Sequence, residues 1–378
     1  MRITDYALYE VKPRWQLLKL ETSDGLVGWG EVYTKWHYVG DEPNTATAAA
    51  VGQMMDKYVL DADPLEIQRL WQAMYQSSFF RGGAAHTSAI AGIDEALWDI
   101  KGKHYGAPVW DLLAGKARDR VRVYHHADET SAADAIEQGF TAIKMGPNDP
   151  IEPIATPGRV RQFVDRVAAA RDIVGEDVDL ALDFHGKVKK PMVDRLTSAL
   201  EPYEPMFVEE PVTAEYPEAF TAIADHTTIP IATGERLCTR FDFKPYFEAG
   251  SIDVAQPDVS NAAGITESKK IADMAAAYDI QLAPHCPIGP IALASSIQVM
   301  AVASNALVQE QSLYKQDYWE DYLVDPAPLK HEDGFIELPT EPGLGVEVDE
   351  DVVRERDGAA LSYARGLYTY RDGGIGDG

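Results

Sequence analysis

The sequence predicts an α/β fold of the TIM-barrel type, preceded by a smaller α+β unit. Three observations carry that prediction. Eight short apolar runs recur from about residue 120 onward, with amphipathic helical stretches between them. The first third of the chain lacks this alternation. Polar residues stand at the C-terminal ends of the runs at a nearly constant interval, where an apolar strand has no need of them.

Residues 1–31 read as an antiparallel meander. Ile3 to Val11 alternates, Trp15 to Glu21 follows, and Ser23-Asp24-Gly25 supplies the turn before Leu26 to Trp29. Residues 45–115 read as helical, and Ile90, Ile93, Ala96, Leu97 and Ile100 fall on one helical stripe. The eight runs are Val121–Tyr124, Ala142–Met145, Val178–Phe184, Met206–Glu209, Ile229–Thr233, Ile252–Gln256, Ile280–Pro284 and Ala306–Gln309. Eight strand–helix units fit a closed barrel, and a doubly wound open sheet is the alternative. Residues 338–378 are rich in Pro and Gly and irregular.

The polar strand ends are Asp183, Glu209, Glu235, Asp258, His285 and Glu310, spaced by 26, 26, 23, 27 and 25 residues. Each interval is one strand, loop, helix and loop, and a barrel would turn that period into a ring around one mouth. Three carboxylates on successive strand ends repel one another when ionised. Asp183, Glu209 and Glu235 therefore point to a cation, and an all-oxygen set favours a hard one such as Mg²⁺, one per site. Zinc is disfavoured, because no thiolate or imidazole joins the set at ligand spacing. Asp258 one unit before His285 can fix the tautomer of that imidazole and raise its basicity. His185, two residues after Asp183, is expected on the same side of the strand and can donate a proton. Lys144 can neutralise a substrate carboxylate. Of His125 and His126, one should face the mouth. Cys286 reads as a small buried hydrophobe.

Composition narrows the partners. The chain has 378 residues, 46% of them hydrophobic, and a formal net charge of -27 from 61 Asp and Glu against 34 Lys and Arg. That sign excludes nucleic acid and anionic membranes as natural partners. The carboxylates are spread along the chain, which fits a solvated acidic surface and adaptation to high salt. The chain opens directly on strand pattern, with no signal peptide or membrane-length apolar run. Its two cysteines are too few for a disulfide framework. A soluble cytoplasmic protein is expected.

Seven stretches carry a resemblance: SAIAGIDEALWDIKGK (88–103), DFHGK (183–187), VEEP (208–211), TGER (233–236), QPDVSNAAGITE (256–267), APHCPIGPIALAS (283–295) and VQEQS (308–312). Through them the chain resembles the enolase superfamily, mandelate racemase subgroup, and within it the galactonate dehydratases. The resemblance implies a modified (β/α)7β TIM-type barrel over residues 119–337. It also implies an α+β capping domain over 1–118, completed by a C-terminal segment, 338–378. The family's metal ligands fall on Asp183, Glu209 and Glu235, and its base dyad on His285 and Asp258. Its enolate partner falls on Glu310 and its dehydratase acid on His185.

The implied reaction is Mg²⁺-dependent dehydration of an aldonic acid of 2R configuration, D-galactonate or D-gluconate, to a 2-keto-3-deoxy product. A pentonate such as xylonate, an epimerase or cycloisomerase, and a non-catalytic sugar-acid binder are the alternatives. Racemases of the subgroup carry Lys-x-Lys on the second barrel strand, whereas this chain has Lys144-Met145-Gly146. The second base is thus missing. The capping loop 32–41 and the tail 367–371 also depart from the family pattern. Trp36, His37, Arg81 and His126 are candidates for recognising the distal part of the substrate. The family relation further implies a homo-oligomer.

Overall fold

The structure is a computed structural model and describes residues 1–32, 45–147, 151–315, 318–359, 368–370 and 372–376. Three antiparallel strands open the chain: β1 (Ile3–Val11), β2 (Trp15–Thr22) and β3 (Val27–Val32), in the order β1-β2-β3. The alternation in β2 has a use on each face. Leu18 and Leu20 join the core of the capping unit, whereas Trp15 and Leu17 join the larger core shared with the barrel.

Against this sheet lie α1 (Thr45–Met54), α2 (Ile67–Gln76), α3 (Ala84–Tyr105) and the short α4 (Val109–Leu113), with a π-helical turn at Met55–Val59. The helical region is therefore interrupted. Asp63-Pro64 and Gly82-Gly83 stand at two of the breaks, as their backbone preferences dictate. Helix α3 packs directly on β3: a Cβ on Gly30 would stand 1.9 Å from the carbonyl oxygen of Gly92. Only the missing side chain permits that approach.

The barrel strands are β4 (Arg120–His126), β5 (Ala142–Met145), β6 (Asp179–Asp183), β7 (Val208–Glu209), β8 (Ile231–Thr233), β9 (Val254–Ala255), β10 (Gln281–Leu282) and β11 (Gln309–Glu310). All pair in parallel, in the order β10-β9-β8-β7-β6-β5-β4-β11. A parallel bridge between Leu282 and Ala306 closes the ring, with Leu282 donating to the Asn305 carbonyl and Leu307 to the Leu282 carbonyl, both at 2.8 Å. This excludes the open doubly wound sheet.

Among the described residues seven helices follow the first seven strands: α5 (Ala132–Glu137), α6 (Pro157–Val174), α7 (Lys190–Leu200), α8 (Pro217–Ala224), α9 (Arg240–Ala249), α10 (Ile265–Ala276) and α11 (Pro290–Val302). The architecture is thus the expected (β/α)7β barrel. Several paired segments are shorter than the apolar runs that announced them, Val208–Glu209 within Met206–Glu209 and Val254–Ala255 within Ile252–Gln256 among them. Met206, ahead of β7, still donates to the Leu180 carbonyl at 2.9 Å.

One apolar layer fills the barrel: Tyr124, Ala142, Ala181, Phe207, Ala232, Val254, Ala283 and Val308. Each comes from a different strand or its immediate approach. A strand's side chains alternate, so the residue two positions later also faces inward, nearer the C-terminal mouth.

After β11 the chain adds β12 (Phe335–Glu337), antiparallel to β4, and α12 (Glu350–Glu355). The tail returns to the meander: Lys19 pairs with Glu350 at 2.7 Å, and Gly358 donates to the Glu10 carbonyl at 2.9 Å. No described helix is long and apolar enough to cross a membrane.

Candidate active site

Counting two residues on from the barrel layer gives the inner wall of the mouth. Tyr124 leads to His126, Ala142 to Lys144, Ala181 to Asp183, Phe207 to Glu209, Val254 to Gln256, Ala283 to His285 and Val308 to Glu310. Strand β8 is the exception. Gly234, with φ of 152°, stands at the corresponding place, and Glu235 follows it into the site. Asp258 lies two residues beyond Gln256.

These groups form one continuous charged cluster. Lys144, buried, donates to Glu209 Oε2 at 2.8 Å and lies 3.5 Å from Asp183 Oδ2 and 3.3 Å from Glu310 Oε1. Gln256 donates to the same Glu209 oxygen at 2.8 Å. His285 Nδ1 meets Asp258 Oδ2 at 2.7 Å, and its Nε2 lies 2.9 Å from Glu235 Oε2. His185 Nδ1 pairs with Asp183 Oδ2 at 2.8 Å. Glu310 accepts from the Cys286 amide at 2.8 Å and is hydrogen-bonded to His126.

Burial and charge act against each other here. Burial disfavours a charged Lys144, but Glu209 and Glu310 outweigh it and hold its pKa well above the ordinary lysine value. Burial likewise opposes a charged His285, and Glu235, Glu310 and Asp258 reverse the direction, raising it well above the usual imidazole range. Asp183 raises His185 more than burial lowers it. Glu209 is pushed up to about 7, by desolvation first and by Asp183 second. Lys144, His285 and His126 overcome burial at Glu310 and keep it a carboxylate, so in this arrangement it accepts hydrogen bonds.

Asp183 and Glu209 sit side by side in register on β6 and β7. Among the described residues no three His, Cys, Asp or Glu side chains are arranged around one point as an ion's ligands would be. Their oxygens turn to Lys144, His185 and His285 instead. Glu209 Oε1 is nevertheless buried with no hydrogen-bond partner, and the donor set is entirely oxygen, as a hard divalent cation requires. The residues thus fit such a cation.

One expectation about an individual side chain needs amending. His185 does meet Asp183, but not by strand alternation: β6 ends at Asp183, and His185 takes a left-handed φ of 52°. Arg236 stabilises that turn, donating to the His185 carbonyl at 3.0 Å and to Glu210 at 2.9 Å. His126 is the member of the His pair that faces the mouth; His125 stacks on Phe140 with centroids 4.9 Å apart. Gln256 and Arg236 were not singled out by sequence reasoning. Gln256 could have been, by the two-residue step from Val254.

A cleft of about 520 Å³ opens over this cluster, lined by His126, Lys144, Gly146, Asp183, His185 and Lys187 among others. Lys187 Nζ lies 4.6 Å from the ring of Tyr368, which brings the tail to the rim. Arg81 faces a second cleft of about 490 Å³, together with Tyr75, Arg236 and Phe241. Trp36 and His37 lie outside the described residues.

Two family models match the chain: the mandelate racemase/muconate lactonizing enzyme N-terminal domain over residues 10–114, and the enolase C-terminal domain-like family over 127–352. The chain belongs to the mandelate racemase/muconate lactonizing enzyme family. Within that family it is 44% identical to a D-galactonate dehydratase of Ralstonia pickettii and 42% identical to one of Cronobacter sakazakii, with all of each chain covered. Among solved structures it resembles an enolase from Agrobacterium radiobacter with bound sodium and L-malate. That match has a TM-score of 0.91, 30% identity and complete coverage of both chains. A mandelate racemase/muconate lactonizing enzyme from Sulfitobacter sp. matches at a TM-score of 0.87 and 31% identity, over 97% of each chain. The polar cluster stands at the C-terminal mouth of the barrel, the face on which TIM-barrel enzymes build their active sites.

Proposed function

We propose that this enzyme is a Mg²⁺-dependent hydro-lyase that dehydrates a 2R aldonic acid, D-galactonate being the first substrate to test. The observation that carries this reading is a pair of imidazoles in unlike settings at one mouth. His285 is buried and backed by Asp258; His185 is partly exposed and held by Asp183. Two titratable groups kept in different environments can serve as base and acid of one reaction. The full-length relation to D-galactonate dehydratases supports the same reading.

In this mechanism Asp183, Glu209 and Glu235 would hold Mg²⁺, which when bound would supply Lewis-acid neutralisation of charge developing on the substrate carboxylate. Lys144 adds a fixed positive charge at the same place. His285 Nε2 takes the C2 proton, and Asp258 stabilises the imidazolium that forms. Glu310 and His126 bind and orient the reacting end. His185 delivers a proton to the departing C3 hydroxyl, and the enol product becomes a 2-keto-3-deoxy acid. Gly146 offers no second base, so epimerisation at C2 has no acid on the opposite face.

The experiment combines turnover with exchange of the C2 proton in D₂O. His285→Asn should abolish both, by at least about a hundredfold. His185→Asn should lose dehydration and keep exchange. Wild-type turnover in either variant would refute the corresponding role. The same proposal includes a cytoplasmic enzyme adapted to high salt, in keeping with the net charge of -27. It also includes a homo-oligomer, for which the adjacent exposed Phe79 and Phe80 suit a subunit contact.

A further inference from the structure

The stretch 88–103 lies in α3 and supplies none of the groups assigned above to proton transfer or metal binding. It still carries three buried carboxylates, Asp94, Glu95 and Asp99. Interiors tolerate such groups only where they are hydrogen-bonded. Most of their partners lie outside α3. Glu95 Oε1 accepts from Ser260 Oγ at 2.9 Å, and Oε2 accepts from the Glu31 amide at 2.8 Å. Glu31, buried in β3, accepts from the amides of Gly289 at 2.8 Å and Ala292 at 3.1 Å, where α11 begins. Asp94 accepts from the Thr266 amide at 2.9 Å. Trp71 donates to the Ala263 carbonyl, also at 2.9 Å.

The barrel segments gripped in this way are those that carry the proposed base dyad. Residues 260–266 follow Asp258, and residues 289–292 follow His285. Asp258 Oδ1 accepts from the amides of Ser260 at 2.9 Å and Asn261 at 3.1 Å, and Oδ2 is left to His285. Ser260 therefore holds Asp258 through its amide and is itself held by Glu95 through its hydroxyl.

We infer that Glu95 and Ser260 are positioning residues for proton abstraction: the capping helix fixes the turn that aims Asp258 at His285, and Glu31 fixes the segment behind His285. The inference rests on the reading of His285 as the base. Its physical content is orientation. A carboxylate that swings away from Nδ1 no longer stabilises the imidazolium, so the base weakens. His285 is faced by Asp258, Glu235 and Glu310, and Asp258 by His285, Glu310 and, from β3, Glu31. None of these groups is altered by changing Ser260 or Glu95. Asp99 provides a comparison within the same helix. It accepts from the amides of Trp29 and Leu344 and from Lys103, all remote from the dyad.

The test uses the full-length enzyme with Mg²⁺ and D-galactonate. Ser260→Ala, Glu95→Gln, Asp99→Asn and His285→Asn are compared for kcat, KM, C2-proton exchange, the pH profile of kcat/KM and Tm. Ser260→Ala and Glu95→Gln are expected to lose about tenfold in kcat and in exchange. KM should stay within about twofold, and the acid limb should move to lower pH. Asp99→Asn should lower Tm and keep the wild-type acid limb and kcat. A folded Ser260→Ala with wild-type kcat and acid limb would overturn the inference. So would losses of activity that track Tm across all three variants. If Glu95→Gln does not fold, Ser260→Ala decides alone. Turnover that survives in His285→Asn refutes the base assignment and this inference with it. A dead His285→Asn beside a wild-type-like Ser260→Ala refutes only the positioning.

Discussion

Gly146 shows how much one missing side chain fixes. A Cβ there would stand 2.2 Å from the carbonyl oxygen of Asp183. The position that carries a lysine in racemases of this family is thus closed by backbone, and β5 approaches β6 just where Asp183 ends its strand. Gly146→Ala should cost about 1–3 kcal/mol of stability through overpacking. It should also cut turnover by displacing Asp183. Gly146→Lys should show no C2 epimerisation, since the lysine cannot enter without moving β6. Calorimetry and NMR of the reacted sugar acid check both; a wild-type Tm in Gly146→Ala would show that the strands part freely. At this scale most of the site was legible in the sequence. Lys144, Asp183, Glu209, His285 and Glu310 each stand two residues after a small or apolar strand residue, and their charge marks them out. Gln256 carries no charge and drew no notice, although it shares a carboxylate oxygen with Lys144. His185 was singled out, but the turn that places it was not legible, nor was Arg236, which holds that turn. The turn that places His185 leaves the extended conformation, so the two-residue rule stops applying there.

Among the elements, the eight strands were legible because their apolar runs are the barrel's interior and exterior layers. The link between α3 and the barrel was not. Glu95 and Ser260 are 165 residues apart, and Glu31 and Gly289 are 258 apart. No periodicity registers a hydrogen bond between such partners. In a sequence, buried acids on a helix look like a solvated face. Their burial has a consequence for pH. Desolvation pushes Glu31 up to about 8 and Asp94 up to about 7, against the amide hydrogen bonds that lower them. In the unfolded chain both would already be ionised above pH 5. The folded protein therefore holds protons that the unfolded chain has lost. Stability from this source is complete below the unfolded pKa values and is lost as pH rises through 7 and 8. Tm should fall between pH 6 and pH 9. In Glu31→Gln, which has one fewer titrating group, the fall should be shallower. An unchanged slope in that variant, measured by calorimetry, would show that Glu31 is ionised in the folded state.

For the whole molecule the governing quantity is the imbalance of 61 acidic against 34 basic residues. Surface ion pairs such as Lys116–Asp119, Lys244–Glu248 and Lys269–Asp273 stabilise little, because water screens them and their side chains lose freedom, and salt weakens them further. Salt also weakens the repulsion among the unpaired carboxylates, and these two effects oppose each other. The count decides between them. At most 34 acids can be neutralised one to one, so at least 27 remain uncompensated even if every basic residue were paired. At about 0.1 M salt the screening length is about 10 Å, long enough for neighbouring surface carboxylates to repel; at 1 M it is about 3 Å. Compact folding brings those charges together, so their repulsion destabilises the folded state more than the unfolded chain. Raising KCl from 0.1 M to 2 M should therefore raise Tm. Replacing exposed acids by lysine, at sites away from the mouth, should reduce that gain. The buried carboxylates of the cluster and of α3 should contribute little to it, because mobile ions do not reach them. A Tm that stays level or falls across this range would mean that the ion pairs, and not the excess acids, dominate the surface. The adaptation to high salt would then have to be abandoned.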